Sequence, residues 1–194
     1  MTNPMKITLI LVHPRPGSFN HAIADTAAAT LRQAGHLVTV HDLYAEQFDP
    51  LLPDPEIARN AVLPPVISEH CREIAAADGI VIVHPNWWGM PPAILKGWLD
   101  RVLRPGVAYR FSETDSGEGI PIGLLSAKAV LVFNTSNAPP RRGNRKSLAI
   151  RLNGSGETAL SRSAVSPHFP GRCLALSSPA QKSSGRAGLK KCGA

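Results

Sequence analysis

Two adjacent tryptophans, Trp87 and Trp88, stand in a short turn rich in proline and glycine, and their indole rings could stack on a flat ligand. The turn follows the apolar run 79–83, which has the composition of a buried parallel strand. Ligands of open α/β sheets bind outside the carboxyl ends of the strands. The turn therefore predicts a site for a planar ring. The alternative interpretation is a hydrophobic corner in which the two rings are simply packed.

The loop 13–20 is a second candidate site, because it lies between a predicted strand and a predicted helix. Backbone N–H groups and the helix dipole favour a phosphate at such a position. Ser18 and Asn20 can donate or accept hydrogen bonds, while His13 and Arg15 can supply positive charge. The alternative is an ordinary loop in which Ser18 or Asn20 caps the helix. The loop has neither a Walker nor a G-x-G-x-x-G sequence, which disfavours the usual NAD-binding fingerprint.

A third group of polar side chains follows the predicted strand 128–133. It consists of Asn134, Thr135, Ser136 and Asn137. Small polar groups at the carboxyl end of a strand suit hydrogen bonds to the polar edge of a bound ring. A polar turn without a ligand is the alternative.

Strands and helices alternate along the first 137 residues, which predicts an α/β domain with a doubly wound parallel sheet. The predicted strands are 5–12, 36–41, 79–83 and 128–133, and the predicted helices are 21–34, 65–77 and about 91–103. In the last helix we expect Trp98 in the core, and Lys96 and Arg101 as solvated charges.

Composition limits the class of protein. The length of 194 residues suits one domain, and no apolar run is long enough to span a membrane. The chain shows no signal peptide, and its three cysteines have no metal-type spacing, which together favour a reducing cytoplasm. The histidines form no metal set, and no Ser/His/Asp triad is recognisable.

The net charge of +7 is unevenly distributed. Residues 1–137 carry 10 Lys and Arg against 13 Asp and Glu, whereas residues 138–194 carry 11 basic residues and one acid. A basic tail can indicate nucleic-acid binding. We expect no nucleic-acid partner here, because the tail has a different origin, described below.

The loops resemble those of the quinone-reductase branch of the flavodoxin-like flavoproteins. In that family a strand leads into His-x-x-x-x-Ser-Phe-Asn, and His13, Ser18, Phe19 and Asn20 stand at these positions. The sequence Pro-Asn-Trp-Trp-Gly-Met-Pro at 85–91, and the helix sequence after it, match the family's ring-binding loop. The resemblance covers residues 5 to about 139.

The resemblance implies a flavodoxin-like fold that binds FMN or FAD and passes hydride from NAD(P)H to a quinone or similar acceptor. It implies that His13, Ser18, Phe19 and Asn20 hold the phosphate end of the flavin. The implied ring-binding residues are Pro85, Asn86, Trp87, Trp88, Gly89, Asn134, Thr135, Ser136 and Asn137. Tyr109 and Phe111 would line the acceptor pocket, partly across a homodimer interface, although Tyr109 could equally cap the sheet. No side chain is assigned a catalytic role.

The resemblance ends abruptly near Pro140. Family members continue with a helix that opens on Phe-Gly-Asp-Pro, which is missing from this sequence. When residues 143–160 are written as permitted codons and read from the third base of the Gly143 codon, one choice gives Val-Phe-Gly-Asp-Pro-Leu-Glu within the new frame. We therefore interpret the chain from about Pro139 or Pro140 onward as frameshifted.

This interpretation divides the chain into a flavin-binding domain, 1–137, and an atypical basic tail, 138–194, that we expect to be disordered. The sheet is then predicted to be incomplete at its C-terminal strand and helix, and dimer formation becomes doubtful. Three other functions stay open: a regulatory subunit of a membrane transporter, an inactive product, and a nucleic-acid binder. NAD(P)H turnover, a cooperative thermal transition and salt-sensitive DNA binding, respectively, would discriminate them.

Overall fold

The computed structural model describes residues 3–112, 119, 121–136, 151–152, 158–159 and 174–177. In chain order the strands are β1 (Lys6–Leu11), β2 (Leu37–Asp42), β3 (Gly79–Pro85), β4 (Tyr109–Phe111), β5 (Pro121–Gly123), β6 (Ala129–Ser136), β7 (Arg151–Leu152), β8 (Thr158–Ala159) and β9 (Leu174–Ser177). The α-helices are α1 (Phe19–Gln33), α2 (Pro65–Ala76) and α3 (Ala93–Val102), and a short 3₁₀ helix covers Asp54–Glu56.

The central sheet is parallel, with the strand order β2-β1-β3-β6-β9. All seven residues of β3 are buried, because helices cover both faces of the sheet. Alternate residues of β3 therefore enter different cores. Ile80 and Ile82 pack with α2 and α3, whereas Val81 and Val83 pack with α1. The α/β fold with a doubly wound parallel sheet that the alternation of elements predicts is confirmed.

The sheet has a short fifth strand, β9, although we expected it to be incomplete at its C-terminal strand. Residues 174–177 of β9 pair with Phe133–Ser136, the carboxyl-terminal half of β6, in parallel register. The unpaired N–H and C=O groups of an edge strand are a template for such pairing. Apart from β7, β8 and β9, the predicted tail 138–194 lies outside the described residues, as does the proposed start of the frameshift. The domain boundary at 137 stays a prediction.

The helix α3 confirms one expectation and corrects another. Trp98 is buried in the core, as its helical position predicts. Arg101, which we expected to be solvated, is buried and forms an ion pair with Glu56, and its Nη1 donates to the carbonyl oxygen of Asp49 at 2.6 Å. The long connection between β2 and α2 folds back over α3 and supplies both partners. Helical periodicity could not show this contact, since the partners lie about 50 residues earlier in the chain.

Among the described residues, no helix combines the length and the apolar character that crossing a membrane requires.

Candidate functional site

The loop after β1 leads into α1, whose N-terminus is capped by a side chain. Ser18 is the N-cap of α1, and its Oγ accepts a hydrogen bond from the backbone N–H of His21 at 3.4 Å. The first turn of this 15-residue helix contains no acidic side chain. Gly17 has a φ of +67°, which only glycine adopts without cost, so the chain can turn sharply just before the cap. The N-terminus of α1 therefore presents backbone N–H groups at the carboxyl edge of the sheet.

After β3 the chain makes a tight two-residue turn, Trp87–Met90, which we call the tryptophan turn. The backbone N–H of Met90 donates to the carbonyl oxygen of Trp87 at 3.0 Å, and the N–H of Trp87 donates back to Met90 at 2.9 Å. The two central residues, Trp88 and Gly89, have φ values of 56° and 81°, the left-handed pattern of a type I′ turn. A bulky side chain is uncommon at such a φ. Trp88 is nevertheless fully exposed, so packing does not hold it there.

Contacts between distant residues bring the three predicted loops together. The backbone N–H of Asn86 donates to the carbonyl oxygen of Thr135 at 2.7 Å, which joins the tryptophan turn to the end of β6. The Thr135 hydroxyl donates to Oδ1 of Asn20 at 3.2 Å, across 115 positions of sequence, and joins β6 to α1. The rings of His13 and Trp87 meet edge to face, with centroids 6.3 Å apart. The three loops form one surface at the carboxyl edge of the sheet.

Three buried polar atoms at this edge have no hydrogen-bond partner among the described residues: Nε2 of His84, Oδ1 of Asn86 and Oδ1 of Asn134. Burial lowers the pKa of His84, and its Nδ1–H donates to the carbonyl oxygen of Pro85 at 2.8 Å. The imidazole is therefore neutral, and Nε2 is an acceptor. His84 and Asn134 are register partners on β3 and β6. A buried acceptor without a donor costs about 1–3 kcal/mol, so this edge is suited to a ligand that brings donors.

The structure brings most of the predicted site residues to this edge. Phe19 begins α1 and is 40% exposed, and Pro85 ends β3 and is buried. Tyr109 and Phe111 lie in the separate β4–β5 sheet, where their rings contact each other, and Phe111 also stacks under the guanidinium of Arg59. Within the described residues, these ring contacts and strand pairings do not join Tyr109 and Phe111 to the three loops. Asn137 lies outside the described residues.

One polar constellation escaped the sequence analysis. Ser18 Oγ lies 2.8 Å from Nδ1 of His21, and Nε2 of the same ring lies 3.2 Å from Oδ2 of Asp42. Two signals could have indicated it. Ser18 and His21 are three positions apart at a helix start, where the first side chain caps the third residue. Asp42 ends β2, the strand parallel to β1, so its carboxyl end meets the first loop.

Comparison with known protein families gives a match over most of the chain. A family model described as Flavodoxin-like fold matches residues 5–153. The chain belongs to this family. The match extends beyond residue 139, where the sequence analysis placed the end of the resemblance.

Named relatives of this flavodoxin-like protein include oxidoreductases. A protein named an uncharacterized NAD(P)H oxidoreductase, from Haemophilus influenzae, is 40% identical over 134 residues, which cover 68% of this chain and 64% of that protein. The ribosyldihydronicotinamide dehydrogenase [quinone] of Homo sapiens is 31% identical over 150 residues, covering 68% of this chain and 63% of the relative. The chain thus spans slightly less than two thirds of the length of these relatives.

A solved structure shows the same architecture. An NAD(P)H:quinone oxidoreductase from Methanothermobacter marburgensis superposes with a TM-score of 0.61 at 27% sequence identity, covering 70% of this chain and 68% of that one.

A second polar cluster of this flavodoxin-like protein lies between β2, α2 and α3. Ligand-type atoms of His41, Glu46 and His70 lie within 4.8 Å of one another, a spacing that could hold a metal ion. The indole N–H of Trp98, however, donates to Nδ1 of His70 at 3.0 Å. An indole can only donate, so Nε2 of a neutral His70 carries the hydrogen and points it at Glu46, 3.3 Å away. A metal bound at Nε2 needs the other tautomer, with the hydrogen on Nδ1. The observed contacts therefore favour a cluster held by hydrogen bonds.

Proposed function

We propose that this protein is a flavin-dependent NAD(P)H oxidoreductase that reduces quinones or similar acceptors. The observation that carries the proposal is the convergence of the three loops at one edge of the sheet, with exposed indoles beside buried acceptors that lack donors. Family membership and the oxidoreductase names of the relatives support it.

The first loop fits the phosphate end of a flavin. The N-terminus of α1 offers backbone N–H groups and a favourable dipole, and no acidic side chain in the first turn opposes a phosphate. Ser18 lies at the cap, and the exposed Arg15 is a cation of the same loop. His13 holds the loop's shape, because its Nδ1 accepts a hydrogen bond from the backbone N–H of Arg15 at 3.1 Å.

The tryptophan turn and the end of β6 fit the ring. The isoalloxazine has one N–H donor on its pyrimidine edge, and the acceptor oxygens of Asn86 and Asn134 lack donors. The exposed faces of Trp87 and Trp88 offer a surface for stacking. A bound flavin supplies the redox chemistry by carrying hydride between nicotinamide and the acceptor. The protein's residues position the ring, keep water from one face and hold the polar edge.

The remaining assignments are finer proposals. We propose either FMN or FAD as the cofactor, with its phosphate at the loop 13–20, and either NADH or NADPH as the electron donor. Tyr109 and Phe111 are our proposed wall for the acceptor, and a homodimer would bring a second copy's residues to that wall. Cysteine usage favours the cytoplasm, and Cys71, the cysteine among the described residues, is a buried free thiol.

Reconstitution tests the proposal. The purified protein is incubated with FMN and, separately, with FAD, and free flavin is removed before the visible spectrum is recorded. NAD(P)H oxidation is then followed with menadione as the acceptor. We expect a retained flavin band and quinone-dependent turnover. A soluble, cooperatively folded protein that retains neither flavin would contradict the proposal.

Turnover separates the main alternatives. A regulatory subunit of a membrane transporter would bind flavin without steady-state quinone reduction. An inactive product would show neither. Tyr109→Ala should raise the KM for menadione without changing flavin retention if this residue lines the acceptor pocket, and Arg110→Ala, whose exposed side chain is on the same strand, is the matched control.

A further inference from the structure

We propose that His21 is a positioning residue for the loop 13–20 and acts by changing its protonation state. When a flavin phosphate binds, His21 takes up a proton, and the Ser18 hydroxyl is then free to donate a hydrogen bond to that phosphate. This inference rests on the proposed function. It concerns the His21 imidazole, which lies between Ser18 and Asp42 and was not among the predicted flavin-contacting residues.

The geometry fixes which atoms face each other. Nδ1 of His21 lies 2.8 Å from Ser18 Oγ, and Nε2 lies 3.2 Å from Asp42 Oδ2. The other carboxylate oxygen, Oδ1, accepts the backbone N–H groups of Tyr44 at 3.1 Å and Ala45 at 3.2 Å. The carboxylate is therefore oriented by the backbone, and Oδ2 is left to face the imidazole. The His21 and Asp42 side chains are 17% and 24% exposed, so solvent only partly competes for these contacts.

The hydrogens follow from donor and acceptor chemistry. An ionised Asp42 only accepts, so Nε2 of His21 carries a hydrogen. In a neutral imidazole the other nitrogen, Nδ1, is then an acceptor, and the Ser18 hydroxyl must donate to it. Ser18 Oγ also accepts the backbone N–H of His21. In this state Ser18 has no hydrogen left for a phosphate, whose ionised oxygens only accept.

Protonation reverses one hydrogen bond. With a hydrogen on both nitrogens, His21 donates to Ser18 Oγ and to Asp42, and the Ser18 hydrogen turns toward the phosphate. One proton is taken from solvent, and no bond between heavy atoms forms or breaks. The imidazolium also adds a positive charge behind the loop, where it attracts the phosphate.

Few other ionisable groups face this ring among the described residues. Asp42 approaches from β2, and the ring of His13 approaches from the loop after β1, with centroids 6.3 Å apart. Asp25 lies one turn further along α1 and is exposed. The carboxylate of Asp42 stabilises the imidazolium, whereas a charged His13 would oppose it.

Calorimetry measures the proton directly. FMN is titrated into the apoprotein at pH 8, where its phosphate is already a dianion, in two buffers of different ionisation enthalpy; FAD is used if FMN is not retained. We expect net proton uptake on binding, and a dissociation constant that rises with pH, by up to about tenfold per pH unit for one linked proton. Riboflavin, which has no phosphate, should bind without uptake.

Two variants separate this role from a structural one. His21→Gln should abolish proton uptake, while His36→Gln, before β2 and away from the loop, should leave it unchanged. Asp42→Asn reverses the tautomer. Its carbonyl oxygen stays on the two backbone N–H groups, so its amide N–H₂ faces Nε2 and places the hydrogen on Nδ1. Asp42→Asn should therefore bind FMN tightly at pH 8 without proton uptake.

The outcomes distinguish the two proposals. Flavin binding without proton uptake in the wild type, or with uptake unchanged in His21→Gln, would overturn the role of His21 and leave the proposed function standing. If neither FMN nor FAD binds to the folded protein, both proposals fail.

Discussion

The carboxyl edge of the sheet and the underside of α3 treat buried polar groups in opposite ways. At the edge, His84, Asn86 and Asn134 each keep a buried acceptor without a partner, within the part of the chain that the structure describes. Under α3, Arg101 donates to both oxygens of Glu56, and Arg104 donates to the carbonyl oxygen of Glu56 at 2.8 Å. We call this second group, Arg101, Arg104 and Glu56, the α3 clasp.

The difference separates structure from function. The α3 clasp is complete in itself, and its role is to fasten the connection 43–64 to α3. The carboxyl edge carries unpaired acceptors, a tryptophan with a left-handed backbone and exposed indole faces, all of which cost stability. A protein retains such costs where a ligand recovers them. The comparison teaches that burial alone does not mark a candidate site, and that buried acceptors without partners are the feature on which our proposal of a ligand at the carboxyl edge rests.

The largest expected effect comes from breaking the α3 clasp. Arg101→Met leaves the carboxylate of Glu56 buried without its ion-pair partner, which should lower the free energy of unfolding by about 3–5 kcal/mol. Chemical denaturation measures it. The matched control is Lys96→Met on the same helix, whose exposed pair with Asp100 should be worth less than about 1 kcal/mol.

The double variant Arg101→Met/Glu56→Leu completes this test. It removes both charges and should recover much of the lost stability, because no buried carboxylate is left unpaired. If Arg101→Met were as stable as Lys96→Met, the clasp would not fasten the connection to α3.

The next largest effect on stability should come from disturbing the close contact between Gly97 of α3 and Pro50 of the connection. A Cβ on Gly97 would lie 2.1 Å from the carbonyl oxygen of Pro50, so Gly97→Ala must push the connection away from α3. We expect a loss of about 1–3 kcal/mol, measured by denaturation. Ala is the better helix former, so a gain in stability would show that the connection does not press on the helix.

The pH dependence of stability tests the cluster around His41. Burial alone would lower the pKa of His41, but hydrogen bonds to Glu46 and Glu73 and their charges outweigh burial and raise it. A raised pKa stabilises the folded state fully below the usual value, about 6.5, and this contribution is lost as pH rises through the folded-state pKa. The free energy of unfolding should therefore fall from pH 6 to pH 9, and less so in His41→Gln.

Glu46 should affect stability at acid pH, because its pKa is shifted in the opposite direction to that of His41. Burial alone would raise the pKa of Glu46, but hydrogen bonds and charges of His41 and His70 lower it to about 2. Its contribution is present above the usual carboxyl pKa and is lost only as pH falls toward 2. In Glu46→Gln the loss of stability between pH 5 and pH 3 should be smaller than in the wild type. An identical acid profile for the two proteins would contradict the assignment.

The smallest expected effect on stability comes from Trp88. Trp88→Asn removes a fully exposed side chain and places a residue that tolerates a left-handed backbone, so stability should change by less than about 0.5 kcal/mol or rise slightly. Flavin retention should weaken, because a stacking face is lost. Trp98→Ala is the contrasting variant, since this buried indole should cost about 3–5 kcal/mol.

The sequence predicts the elements of this protein well and their partners poorly. The buried strands β1 and β3 are mostly apolar, and α1 and α2 begin and end within about two residues of their predicted bounds. The family resemblance identified the loops that meet at the carboxyl edge. Contacts such as Arg101 with Glu56, or His21 with Asp42, depend on how the connection folds back and on strand register, which local patterns do not encode. The pairing of β9 with β6 depends likewise on tertiary structure.

The most direct test of the contrast between the two regions is a paired measurement on Asn134→Leu. Leucine keeps the branched shape of asparagine, is somewhat larger and has no acceptor, so this change removes an unpaired buried oxygen at the carboxyl edge. We expect the apoprotein to unfold at an equal or higher denaturant concentration, while the dissociation constant for flavin, measured by fluorescence quenching, rises by about tenfold or more. A variant that loses stability and binds flavin as well as the wild type would contradict the account, because Asn134 would then be serving the fold and not a ligand.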